Sequence, residues 1–246
     1  MSALGREIAG RGVRGLCLVL LVGAAAAPAL AGDEFTSDFA IDRCGFVNSG
    51  AQNPYFSLQP GRRLVLEGDD DGEEVRLEIT VLAATKVIDF VAPSGKPMHV
   101  VTRIVEERES KDGELAEVSR NFFARCKQTN DVFYFGEEVD FYENGQIVDH
   151  HGSWQAGVNG AQPGIVIPAR FLLGARYYQE RAPGVALDRA ENVDMGIDLS
   201  LAGRRLHGCV AVSETSDLES GESAKIYCPG VGLVFDDEIV LTSFGG

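Results

Sequence analysis

The sequence predicts an all-β protein: an antiparallel meander that forms a barrel or strongly curved half-barrel, with at most one short helix. Three observations carry this prediction. From Arg62 onward, apolar and polar residues alternate with the two-residue period of strands. Short turns rich in Gly, Asn and Asp separate the alternating runs. No segment sustains an apolar repeat at helical spacing.

Residues 1–31 read as a signal peptide. Arg6, Arg11 and Arg14 give a basic start, 16–27 is an apolar run too short to span a bilayer comfortably, and Ala29-Leu30-Ala31 offers small residues for a signal peptidase. The mature chain then begins near Gly32 and runs over 32–246 as a single β-rich domain of about 215 residues, long enough to bury a substantial core. Cys17 lacks the small residues that precede a lipid-acceptor cysteine, and no second apolar stretch is long enough for a membrane span. The expectation is a soluble exported protein, periplasmic or extracellular.

The strands follow in order. "EEVRLEITV" puts Val75, Leu77, Ile79 and Val81 on one face and Glu74, Arg76, Glu78 and Thr80 on the other, a sheet with one wet side. "TKVIDFVA" comes next, then the "PSGKP" turn. "MHVVTRIVEERE" runs to the "KDGE" turn at 111–114, and "LAEVSRNFFARC" returns from it. "KQTND" leads to "VFYFGEEVDFYE", and "ENGQ" at 143–146 carries the Asn-Gly dipeptide that favours a two-residue hairpin. The best helix candidate is "VALDRAENVD" at 185–194, preceded by Pro183-Gly184.

Four cysteines remain outside the leader, Cys44, Cys126, Cys209 and Cys228, and an even number in an exported chain reads as two disulfides. Zinc is disfavoured because there is no CxxC. "RRLHGCVAVSE" and "GESAKIYCPG" look like two strands joined by "TSDLES". If Cys209 faces Cys228, then Ala211 faces Ile226, Ser213 faces Ala224 and the turn centres near Leu218. That leaves Cys44 for Cys126.

The formal charge is −15, and removing the leader's three arginines and Glu7 takes it to about −17. Such a chain repels phosphate and has no basic patch, which excludes nucleic acid as a partner. Two metal sites are weighed. His150 and His151 sit in "DHHGSWQAGVNGAQPG" at 149–164, yet adjacent strand residues point to opposite faces. Glu67, Asp69, Asp71, Gly72 and Glu78 take the first, third, fifth, sixth and twelfth places of a calcium loop, with strand-like rather than helical flanks; the plainer reading is an exposed hairpin tip. Ser153 has no nucleophile elbow, "GVNGAQPG" is no phosphate cradle, and nothing singles out a pair among Glu137, Glu138, Asp140, Asp188, Glu191 and Asp194. No catalytic residue and no cofactor is assigned.

Five strings, "NPYFSLQPG" at 53–61, "VFYFGEEVDFYENGQIV" at 132–148, "GSWQAGVNGAQPGIVIPA" at 152–169, "YYQERAPGVALDRAE" at 177–191 and "YCPGVGLV" at 227–234, resemble in that order a widespread family of uncharacterised exported bacterial proteins. The resemblance implies a predominantly antiparallel β domain with the "GSW" segment as a hallmark. Its members carry Glu and Asp where this chain has Gln155 and Asn159, and unrelated polar residues where it has the His pair. The leading expectation is a binding module that holds an apolar or amphipathic, lipid-like ligand, or a cell-envelope partner protein, in its concave side. Trp154, Tyr177 and Tyr178 are expected to line the mouth. The alternative is an exported enzyme or metal-binding protein using His150, His151, Asp188 and Glu191.

Overall fold

Sixteen strands and one 3-10 turn make up the regular structure of the described residues, Glu34–Gly246, which form one compact unit in this computed structural model. The expected leader, with Cys17 and the Gly32 start, lies outside the described residues. The turn at Ile41–Arg43 and β1 (Phe46–Val47) precede a meander of β2 (Arg63–Asp70), β3 (Glu73–Val91), β4 (Pro97–Lys111), β5 (Glu114–Cys126) and β6 (Val132–Glu143). Short strands follow: β7 (Gln146–Asp149), β8 (Trp154–Gln155), β9 (Gln162–Ile167), β10 (Arg176–Tyr178) and β11 (Glu180–Arg181). A second meander of β12 (Asp188–Leu201), β13 (Arg204–Ser216), β14 (Ser223–Cys228), β15 (Gly232–Asp236) and β16 (Ile239–Gly245) ends the chain.

β16 pairs with β2 and joins the two meanders into one antiparallel sheet, ordered from β10 through β12–β16 and β2–β6 to β9 and β11. Its two ends, β10 and β11, are separated in sequence by Gln179 alone. The sheet therefore curls until its ends meet, giving a nearly closed barrel. Asn144-Gly145, with φ of 53° and 73°, makes the tight β6–β7 hairpin that the dipeptide predicts, and Asp71-Gly72 and Asp112-Gly113 turn the same way. No described helix is long and apolar enough to cross a membrane.

The best helix candidate, 185–194, is a strand from Asp188 onward. Ala190 and Asn192 are buried two residues apart and face Glu214 and Val212 of β13. Ladder pairing with a neighbour that was already a strand overrides a short, weak helical pattern.

Two apolar clusters form. Val75, Leu77, Ile79 and Val81 of β3, the face expected to be dry, join Leu66, Val105, Phe123 and Leu241 inside the barrel. Phe122, Phe133 and Phe135 belong to the second cluster, with Ile88, Phe90, Val100, Trp154 and Ala156. Because Phe122 and Phe123 are consecutive on one strand, the clusters lie on opposite faces of β5. β3 and β4 reach both clusters through a bulge between Val81 and Thr85, where the register shifts. The buried Arg103 satisfies a freed carbonyl there, donating to Ala83 at 2.6 Å, and also donates at 2.8 Å to the carbonyl of Asn48 just after β1.

Cys44–Cys126 ties the N-terminal segment to β5, and Cys209–Cys228 links β13 to β14 in the register that sets Ala211 opposite Ile226 and Ser213 opposite Ala224. Sequence separations of 82 and 19 residues make the first the larger constraint on the unfolded chain. Loop-closure entropy gives about 4.5 and about 3 kcal/mol for the two bonds. Urea denaturation of the C44S/C126S and C209S/C228S double variants should show both losing stability, the former more.

Candidate functional site

The barrel interior is not filled. A cavity of about 290 Å³ lies between the two meanders, and its wall has two chemistries. Leu64, Ile79, Val81, Val105, Phe123, Val231 and Leu233 form an apolar side with Tyr55 and Phe56 from the loop before β2. Seven carboxylates stand on the polar side, with Arg62, Ser119, Gln179 and Lys225 among them: Glu107 on β4, Glu117 on β5, Glu137 on β6, Glu180 and Asp188 at the closure, Glu214 on β13 and Asp236 on β15. Register explains why Glu107 and Glu137 point inward. Ile79 faces Glu107, which faces Ser119, and Val105 faces Asn121, which faces Glu137, so these residues share the face of the apolar ones.

Glu214, Asp236 and Glu180 have close partners. Lys225 bridges Glu214 at 3.2 Å and Asp236 at 3.5 Å, and Gln179 donates to Glu214 at 2.7 Å. The backbone N–H of Asp188 donates to Glu180 at 2.6 Å. Burial alone would lower the Lys225 ammonium, but the carboxylates of Glu214 and Asp236 outweigh it and hold its pKa well above the ordinary value.

Glu107 makes no hydrogen bond or close ion pair with a described residue. Burial is the main cause that raises its carboxyl to about 7; Asp236, Glu117 and Glu214 add to the rise, and Lys225 opposes it. Burial likewise raises Glu137 to about 7, with the Tyr134 hydroxyl opposing and Glu107, Glu117 and Asp188 adding. Glu180 is pushed well up by burial and by Asp188.

None of the three aromatic residues expected at the mouth lines this cavity. Trp154 is buried behind the wall, at the end of a ladder of rings: Phe56 to Phe123 at 5.0 Å, Phe123 to Tyr134 at 4.8 Å, Tyr134 to Trp154 at 5.2 Å. Tyr177 is buried, with its hydroxyl donating to Asn192 at 3.1 Å, and Tyr178 donates to Asp217 at 2.7 Å. Gln179 and Glu180 are the cavity residues of that segment, because the chain changes strand partners there.

The metal candidates are not brought together either. Nδ1 of His150 lies 2.9 Å from Asp140, while His151 pairs with Asp149 at 3.0 Å and stacks on Phe141 at 4.0 Å. Both histidine side chains are about two-thirds exposed. Glu67 faces and pairs with Arg76, Glu78 pairs with Arg63, and Asp69 accepts from the Gly72 N–H at 2.9 Å, so the acidic loop is a hairpin tip laced with cross-strand pairs. Among the described residues, no three His, Cys, Asp or Glu form a metal-binding group. The enzyme constellation also separates: Glu191 pairs with Arg176 at 2.8 Å, and only Asp188 of its four members lies on the cavity. Of the carboxylates weighed from sequence, Glu137 and Asp188 reach the cavity, while Glu138 pairs with Lys86 and Asp140 with Arg120.

Sequence reasoning missed several cavity residues, Glu117, Glu180, Glu214 and Lys225 among them, and the most telling is Glu107. Its signal is present in "TRIVEERE": Val105 and Glu107 occupy the same phase of one strand, and a charge on the dry phase needs explaining.

No family model and no curated protein matches the chain. Among solved structures, one similar chain is described as a "putative lipoprotein" from Parabacteroides distasonis; it is 10% identical with a TM-score of 0.36, over 81% of this chain and 100% of that one.

Two predictions follow from this geometry. A raised carboxyl favours its neutral form in the fold, so Glu107 and Glu137 contribute most below the ordinary value of 4.5. That contribution is lost as pH climbs to about 7. Chemical denaturation should find Glu107→Gln more stable than the parent at pH 8 by roughly 1–3 kcal/mol, with little difference at pH 4.5.

The second concerns the "GSW" bend. Gly157 has φ of 87°, and an added Cβ would lie 2.8 Å from the Asp89 carbonyl and 2.9 Å from Phe90. Gly160 has φ of 82° but open space. Gly157→Ala should cost roughly 3 kcal/mol and Gly160→Ala about 1, compared by thermal unfolding.

Proposed function

We propose that this chain is an exported binding protein that takes a small amphipathic molecule into its barrel, in the periplasm or outside the cell. The observation that carries the proposal is the two-sided cavity: an aliphatic and aromatic wall facing a polar one inside a nearly closed barrel. Binding sites of this kind are concave, mostly apolar and furnished with a few polar groups that fix orientation. The apolar side receives the ligand body and the polar side its head.

Two further observations support the reading. The five strings on which the family resemblance rests are far apart in sequence, yet each contributes to this cavity: Tyr55 and Phe56, Tyr134 and Glu137, Val166, Gln179 with Glu180 and Asp188, and Tyr227 with Val231 and Leu233. The two disulfides support export, because such bonds persist in oxidising compartments.

Native mass spectrometry of the protein purified from its own host tests this. A small molecule should co-purify at one per chain. It should be absent from Ile79→Trp, whose added bulk occupies the cavity at a folding cost of about 1–3 kcal/mol. Retention of the same mass by a folded Ile79→Trp protein would place the ligand elsewhere.

A further inference from the structure

We propose that the molecule held in this barrel is an organic cation: an ammonium group on a short apolar body, with Glu107 as its counter-ion and Glu137 beside it. The inference rests on the barrel interior being the ligand site and adds the ligand's charge.

Glu107 carries it. The side chain is half-buried and lines the cavity. It has no donor within hydrogen-bonding or ion-pairing distance, whereas Glu214, Asp236 and Glu180 all have theirs. A carboxylate drawn partly out of water without a partner is unfavourable until a donor or a positive charge reaches it. The cavity's own cations do not reach it. Lys225 is held by Glu214 and Asp236, and Arg62 donates to the carbonyls of Gly230 at 2.7 Å and Val231 at 3.1 Å.

The same charge distribution rules against an anionic head group, which would meet an excess of carboxylates. Glu107 and Glu137 stand on different strands, with Val105 and Asn121 in the intervening inward positions, and no described trio of donors suits a metal ion. An ammonium group needs only two or three separated acceptors, and the Ser119 hydroxyl opposite Glu107 supplies another. The Phe56 and Phe123 rings on the wall add faces that attract cations. At about 290 Å³ the space equals roughly ten water molecules, which sets the body at about that many non-hydrogen atoms.

The test uses three probes with one six-carbon body, n-hexylamine, n-hexanol and n-hexanoate, titrated calorimetrically into the mature protein at pH 8. Hexylamine should bind at least tenfold more tightly than hexanol, and hexanoate should not bind. Glu107→Gln should lose at least tenfold for hexylamine and keep the parent's hexanol affinity; Glu137→Gln gives the same readout should the first variant fail to fold. Equal or tighter binding of hexanol or hexanoate overturns the cation while leaving the cavity as a ligand site. Displacement of hexylamine by millimolar calcium, lost in Glu107→Gln, overturns it in favour of a metal. Failure of all three probes to bind overturns it, and the co-purified mass then decides separately whether the cavity holds any ligand.

Discussion

Closure of the barrel depends on six residues. Along Arg176–Arg181 the chain pairs first with β12, setting Tyr177 opposite Ala190, and then with β9, setting Glu180 opposite Pro163. Gln179 is the point of exchange: its backbone N–H reaches Asp188 at 2.8 Å, and its side chain reaches inward to Glu214. One segment thus serves both ends of the sheet. Sheet edges left open are sites of aggregation and water entry, so this exchange does two things at once. It satisfies the backbone and it separates the interior from solvent.

That separation divides the acidity of the chain into two populations. On the outer face, Glu78 meets Arg63, Glu67 meets Arg76, Glu138 meets Lys86 and Asp217 meets Arg189; these pairs are substantially exposed and contribute little each. Inside, the same residue type meets an environment where each unpaired charge is costly. Lys225 neutralises one end of the interior through Glu214 and Asp236, while burial raises the carboxyls of Glu107 and Glu137 to about 7. A barrel built only for stability would fill those positions with aliphatic side chains, as Ile79 and Val105 do beside them.

The "GSW" bend has a supporting part. Trp154 closes the aromatic ladder that begins at the cavity wall, and Gly157 lets the bend approach Phe90 in the second core. The Cys44–Cys126 bond fastens the N-terminal segment over that same core. The face of β5 and β6 opposite the cavity is therefore packed, and the strands that position Glu137 and Tyr134 are held from behind.

What the sequence determined by itself is local or nearest-neighbour in character. The alternation of β3 shows its dry face, Asn144-Gly145 shows its turn, and the β13–β14 register shows the Cys209–Cys228 bond, since each needs only a period of two or a pairing across one loop. The cavity required the tertiary structure. Its wall joins β3–β6 to β13–β15 and to residues from the closure, and periodicity gives the phase of a strand without saying which strand lies across the barrel. Glu107 looks solvated within "VEERE" because its neighbours are charged, and Trp154 and Tyr177 look like ligand contacts because aromatic rings suit both cores and pockets. Curling the sheet until Arg176–Arg181 joined its ends decided which of them faced the enclosed space.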